Sequence, residues 1–324
     1  ARASGNTMTT TSDLRLVILS GGDSSEATVS RTSAQAVADA LAGHYPNLVN
    51  LELNHSIVNQ LIQANADVVF PVLHGPPGED GTVQGLLEML QLPYVGSDVH
   101  GSAMAMDKLA AKGLFANSDL PMARHAVLRR ETYHEDQLSE ISARLGPEVV
   151  VKPVRQGSAL GVTRVSSPAK LAGAVTLGFQ FDSQLMVESR VNGREMTVGL
   201  LDQSDGIEAF PVIEIVTPED SWYDYDHRYA DDGSQHIMPA KISSELAAAL
   251  QRTAKTAHQC LGCRDLSRAD FIVRDDESFV LLEVNTMPGM TPTSLYPDGA
   301  KGLGYRFDEV LELLVMQAYN RRAR

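Results

Sequence analysis

Short aliphatic runs separated by segments of helical periodicity place the tightest limit on what this chain can fold into. Leu14 to Leu19 (L-R-L-V-I-L) is rich in β-branched and aliphatic residues and breaks at Gly21-Gly22, which reads as a buried strand entering a tight loop. Val29, Ala34, Val37, Ala38 and Leu41 then recur at helical spacing before Gly43, and further strands are expected near Val49 to Leu53 and Val68 to Leu73. Strands alternating with helices need crossover connections, so residues 8–100 are expected to form an α/β unit on a parallel sheet. Residues 1–7, small and polar ahead of Met8, are read as an expression remnant outside the fold.

From Gly101 the pattern changes to a smaller α+β unit, residues 101–187. It has a helix over Ala103 to Asn117, a strand over Val149 to Lys152, a glycine loop, a strand over Val162 to Val165 and a helix whose start is marked by a Ser167 capping hydroxyl before Pro168. In residues 188–324, strands are expected through Glu195 to Leu201 and Val212 to Val216, after one at Leu185 to Glu188. The polar, aromatic stretch 217–235 is long enough for a lid. A helix over Glu245 to Cys260 and a strand pair, Ala269 to Val273 and Phe279 to Val284, follow, joined at the turn residues Asp275-Asp276-Glu277.

Composition narrows the function. With 324 residues, 43% hydrophobic and 21% charged, the chain can build two or three cores. Its 27 Lys and Arg against 41 Asp and Glu give a net charge of -14, which argues against nucleic acid or an anionic membrane as partner, so a phosphate ligand would need locally placed cations. No run of about 18 apolar residues suggests a membrane span, and no secretory signal pattern opens the chain, so a cytoplasmic location is expected. Cys260 and Cys263 have CxxC spacing but no second pair, and packing is the expected role.

The strongest chemical constellation is Arg268 and Asp270 in S-R-A-D-F with Glu283 and Asn285 in L-L-E-V-N-T. Residues two apart on a strand share a face, so paired strands would bring two carboxylates and an amide oxygen together, a donor set that suits Mg²⁺ carrying substrate phosphates. An exposed polar strand face is the plain alternative, set against the buried look of Leu281, Leu282 and Val284. Second is Lys152, which leaves a strand ahead of Gly157 and Gly161; those glycines would let backbone N–H groups turn to phosphate, although two glycines between strands also suit an ordinary hairpin. Their spacing fits neither the dinucleotide fingerprint nor the P-loop. Third, Glu26 in G-G-D-S-S-E and His74, Glu79 and Asp80 in L-H-G-P-P-G-E-D-G stand in loops beyond strand ends, where open α/β sheets bind ligands. His74 could equally hold a turn, and Glu26 could compensate a helix dipole.

These segments, with P-Y-V-G-S, S-A-M-A-M-D-K, W-Y-D-Y-D-H-R-Y and M-P-G-M-T-P-T-S, together resemble the D-alanine-D-alanine ligases of the ATP-grasp superfamily over nearly the whole chain. The resemblance implies an ATP-grasp fold with an N-terminal parallel-sheet domain, a small central domain and a C-terminal catalytic domain, ATP lying between the last two. Lys108 and Lys152 would touch phosphates, Glu188 the adenine edge and Glu195 the ribose. Asp270, Glu283 and Asn285 would hold Mg²⁺, two ions with Mn²⁺ an acceptable substitute. Glu26 would meet the ammonium of the first D-alanine with His74 nearby, and Ser294 the carboxylate of the second. Arg268 and the Gly289 N–H would face the oxyanion, while Ser158 and Tyr229 would connect to Glu26. Ala159 stands where the family often has a second serine, and Arg228 where a phosphate-binding lysine is common. Tyr229, rather than phenylalanine, resembles the dipeptide-forming members. The family implies a homodimer and a role in peptidoglycan precursor synthesis. A same-fold ligase with D-serine, D-lactate or another acceptor, and a non-catalytic ATP-binding protein, remain the competing readings.

Overall fold

A computed structural model describes residues 13–217 and 234–321. Strand β1 (Leu16–Ser20), helix α1 (Ala27–Leu41), β2 (Val49–Glu52), α2 (Ile57–Ala64), β3 (Val68–Pro71) and α3 (Thr82–Met89) open the chain. β1 lies between β2 and β3, parallel to both, as the strand–helix alternation requires. All five β1 residues are buried because helices cover both faces of the sheet.

The helix expected over Ala103 to Asn117 is two helices, α4 (Val99–Met106) and α5 (Lys108–Asn117). Asp107 is extended between them, and its carboxylate accepts from Leu109 N and Ala110 N, both at 3.0 Å. An aspartate that bonds local backbone N–H groups competes with the i−4 ladder, which restarts the helix and places Lys108 in its first turn.

β4 (His125–Arg129), α6 (Gln137–Leu145), β5 (Val149–Pro153), β6 (Thr163–Val165), α7 (Leu171–Gly178) and β7 (Gln184–Ser189) form an antiparallel sheet, order β4-β7-β5-β6, backed by its two helices. The Ser167 hydroxyl caps nothing; Pro168 opens a 3₁₀ turn, Pro168–Lys170, from which α7 continues.

The third sheet contains β8 (Arg194–Gln203), β9 (Gly206–Ala209), β10 (Ile213–Val216), β11 (Gln235–Ile237), β12 (Leu266–Val273) and β13 (Phe279–Asn285), with β12 between β8 and β13. α8 (Ser244–Leu261) packs on its back, and Cys260 and Cys263 belong to that core as free cysteines, Cys260 beside Ser118 Oγ at 2.9 Å. α9 (Leu295–Gly302) and α10 (Phe307–Asn320) finish the described chain. Val310, Leu311, Leu314 and Val315 of α10 share one core with Leu16, Ile18 and Phe70 of the first sheet. The chain's end therefore supports its beginning. Among the described residues no helix is long and apolar enough to cross a membrane.

Candidate active site

The β12–β13 pairing sets Arg268 opposite Asn285 and Asp270 opposite Glu283. Directly opposed residues share a sheet face, so all four side chains lie together, as their spacing suggested. A register shift between Asp270 and Phe271 leaves Leu282 unpaired. This irregularity corrects the expectation that Leu282 is core: it is half-buried, and with Glu283 it lines the larger cavity.

Asp270 is buried among donors. Arg268 gives it two hydrogen bonds (2.9 and 2.8 Å), the Thr197 hydroxyl one (2.6 Å) and the Asn285 amide another (3.0 Å). Arg268 and Asp270, expected to face different partners, thus face each other. Glu283 stands beside Lys108, Nζ to Oε2 3.7 Å. Among the described residues no three His, Cys, Asp or Glu side chains gather as a metal cluster. The donor set is two carboxylates and an amide, whose oxygens fit a hard divalent cation once the Asn285 amide turns its oxygen inward.

Two cavities meet here. The larger, about 380 Å³, lies between the β4–β7 sheet and the β8–β13 sheet. Lys108, Lys152, Glu188, Glu195 and the Gly157–Ser158–Ala159 loop line it, together with apolar Val150, Val191 and Ile272. The smaller, about 70 Å³, is lined by Glu26, His74, Glu79, Arg268, Asn285 and Gly289. Lys108, Gln156, Gly157, Ser158 and Glu283 line both. Ser294 stands beside Gly289, bonded to Thr291 N (3.2 Å) and Thr291 Oγ1 (2.8 Å), where it begins α9.

The glycine loop is the β5–β6 connection, as a hairpin would be, and it also forms a wall of the larger cavity. Its left-handed residues are Ser158 (φ 43°), Ala159 (φ 58°) and Gly161 (φ 71°). Gly157 serves differently, because a Cβ there would stand 2.7 Å from Glu26 Oε2. The Ser158 hydroxyl donates to Glu26 Oε1, which joins the first unit to this loop. Glu26 makes no side-chain cap to α1, so its carboxylate is turned to the cavity and not to its own helix.

Electrostatics separate the acids. Burial would raise Glu188, but Lys152 (2.5 Å) and Lys112, both in ion-pair contact, pull it down to about 2. Burial, reinforced by the charge of Glu26, pushes Glu79 up to about 8 against the Gly75 and Met287 N–H groups. Burial pushes His74 down to about 4. Its Nε2 lies 3.4 Å from Ser33 Oγ.

Arg228 and Tyr229 lie outside the described residues, as does most of the stretch 217–235. Asp80 lines neither cavity and instead accepts from Thr82 N (2.9 Å). Lys112, Thr197 and Gln156 escaped the sequence reading. Lys112 carried a signal, since it follows Lys108 by one helical turn and shares its face.

A nucleotide-sized cavity lined by lysines and acids, gripped between two antiparallel sheets and opening on a small polar pocket, defines an enzyme of the ATP-grasp fold. Residues 51–97 match the family described as D-ala D-ala ligase N-terminus and residues 114–316 the D-ala D-ala ligase C-terminus, and the chain belongs to that ligase family. A D-alanine--D-alanine ligase of Halalkalibacterium halodurans is 41% identical over 303 residues, 93% of this chain and 98% of the relative. One from Citrifermentans bemidjiense is 40% identical over 304 residues, 94% and 95%. Among solved structures, the Bacillus anthracis D-alanine--D-Alanine ligase complexed with ATP superposes with a TM-score of 0.81 at 27% identity, covering 96% of this chain and 99% of that one. The VanG D-Ala:D-Ser ligase of Enterococcus faecalis gives 0.81 at 31%, covering 94% and 98%.

Proposed function

We propose that this protein joins two D-alanines into D-alanyl-D-alanine, using ATP to convert the first carboxylate into an acyl phosphate. The observation that carries the reading is the meeting of the two cavities at Lys108, the Gln156–Ser158 segment and Glu283; a nucleotide in the larger one with its phosphates at that junction would abut a pocket sized for small amino acids. A free carboxylate is a poor electrophile at neutral pH, so its activation must precede amide formation. Lys108 and Lys152 offset charge on the transferring phosphoryl group, and the glycine loop orients it. Asp270, Glu283 and Asn285 hold Mg²⁺, which when bound supplies further neutralisation there. Glu26 holds the ammonium of the first D-alanine, with its orientation set by Ser158. The second amine then attacks, phosphate departs, and Arg268 with the Gly289 N–H meets the developing oxyanion, a contact of roughly 3 to 4 kcal/mol per donor. Ser294 fixes the second carboxylate.

The residue roles of Tyr229 and Arg228, the homodimer and the place in peptidoglycan precursor synthesis belong to the same proposal, drawn from the family, as do the lid and the cytoplasmic location, drawn from the sequence. So does the division into units 8–100, 101–187 and 188–324; the first and third sheets lie within its bounds, whereas β7 (Gln184–Ser189) carries the second sheet across the 187/188 boundary. A D-serine acceptor is the second reading, favoured by the likeness to the Enterococcus faecalis structure; the names of relatives near 40% identity favour D-alanine. Supplying ATP, Mg²⁺ and D-amino acids singly and in pairs and weighing the product decides between them. Phosphate release that requires ATP, Mg²⁺ and D-alanine together supports the proposal, and release without D-alanine contradicts it.

A further inference from the structure

Glu188 is held by two lysines of different standing. Lys152 lines the large cavity together with Glu188, and its ammonium is 2.5 Å from Glu188 Oε2. Lys112, on α5, contacts the other carboxylate oxygen from behind the wall, and is not itself among the cavity's lining residues. Its side chain is 3% exposed, and Nζ also donates to Ala123 O at 2.8 Å. Two partners and no solvent leave Lys112 little freedom, whereas Lys152 opens directly onto the space where phosphates would lie. One turn earlier on the same helix face, Lys108 donates to Gln156 O at 2.7 Å in the glycine loop. A single helix thus places one lysine at the phosphate end and another behind Glu188.

The consequence is electrostatic. When Lys152 turns to a nucleotide phosphate, Glu188 loses one counter-ion while a polyanion arrives beside it. A buried carboxylate left unpaired is strongly disfavoured, and would take up a proton or keep Lys152 for itself. Lys112 prevents both outcomes because it cannot follow the phosphate. We propose that Lys112 is a positioning residue, the fixed counter-ion that holds Glu188 ionised and in place and so releases Lys152 to the nucleotide. This rests on the reading of the large cavity as the ATP site, with Glu188 at the adenine edge as the family resemblance implies. An ionised, fixed carboxylate accepts from a base that presents an amino group and repels one that presents a carbonyl at the same edge. Lys112, which would touch no part of the nucleotide, therefore contributes to the preference for a 6-aminopurine over a 6-oxopurine.

The test measures dissociation constants of ATP and ITP, together with steady-state kinetics, for the full chain and for Lys112→Met, Lys112→Arg and Glu188→Gln. Lys112→Met is expected to weaken ATP binding about ten- to a hundredfold, the range of a hydrogen bond to a charged group. ITP binding should weaken less, so the ratio between the two falls, while KM for D-alanine stays put. Lys112→Arg restores most of the loss. In the Glu188→Gln background, adding Lys112→Met should cost little more, because the lysine acts through that carboxylate. Equal losses for ATP and ITP, KM for D-alanine rising in step, or full additivity with Glu188→Gln would overturn the proposal. Failure of both Lys112 variants to fold would do the same, by making the lysine purely structural. An unmodified protein that binds no ATP removes the underlying reading of the cavity; one that binds ATP as tightly after Lys112→Met removes only this inference.

Discussion

A Cβ at Gly157 would lie 2.7 Å from Glu26 Oε2, and one at Gly75 2.6 Å from the same atom. Backbone from two units therefore closes on a single carboxylate, and neither position accepts a side chain while Glu26 keeps its place. Gly157→Ala should displace Glu26 and lower kcat/KM for D-alanine about a hundredfold, the scale of an ångström-sized misplacement, with little change in melting temperature; steady-state kinetics and thermal unfolding check both. Asp270→Asn keeps the shape but removes the charge that Arg268 and a cation need. Turnover should fall at least about a thousandfold, and an unchanged rate in a phosphate-release assay would count against the metal assignment. Two further acids and bases predict how stability varies with pH. His74, pushed down to about 4 from 6.5, stays neutral in the fold where the unfolded chain is protonated, so it makes stability rise between pH 4 and 6.5. Glu79, pushed up to about 8 from 4.5, keeps a proton that the unfolded chain loses, so its contribution is complete below 4.5 and is lost as pH rises through 8. Urea midpoints should therefore decline from pH 6.5 to 8, and Glu79→Gln should flatten that decline. A variant with the same slope contradicts the burial account of Glu79.

At the scale of elements, α5 shows what a sequence pattern conceals. Ala103 to Asn117 carries continuous helix-forming composition, and only the local bonds of Asp107 to Leu109 N and Ala110 N divide it. Asp107→Ala should remove about 0.5–2 kcal/mol of stability as a lost cap, and raise KM for ATP because Lys108 and Lys112 both take their direction from this start. Thermal unfolding and ATP titration measure the two effects. β12 and β13 were readable because buried aliphatic residues alternate with Arg268, Asp270, Glu283 and Asn285, a pattern that fixes the face. β4 was not, since its inward residues are only Ala126 and Leu128, and Val127, apolar but exposed between them, breaks the alternation that would mark a half-buried strand. The bulge that turns Leu282 to the cavity is also invisible in sequence, because an unpaired residue is a property of two strands and not of one.

In the whole molecule, distant segments meet at Asp265, which is buried and accepts from Gly96 N (2.7 Å) and from Arg321 Nη2 (2.7 Å). Arg321 also donates to Tyr94 O (2.6 Å), so the last described residue ties the first unit to the start of β12. Arg321→Ala leaves a buried carboxylate without its cation and should cost about 3 kcal/mol, visible as a lower urea midpoint. No spacing in the sequence announces this tie, because its members stand 169 and 56 positions apart. The Lys112–Glu188–Lys152 cluster escaped for the same reason: a carboxylate's partners are chosen by the sheets that converge on it. Transfer of phosphate to a carboxylate across the joined cavities can be followed directly. D-alanine labelled with ¹⁸O in its carboxylate is supplied with ATP and Mg²⁺, and the products are weighed. D-alanyl-D-alanine and ADP are expected in equal amounts, with one ¹⁸O carried into each phosphate released. Phosphate without label, or label appearing in AMP, would contradict that transfer.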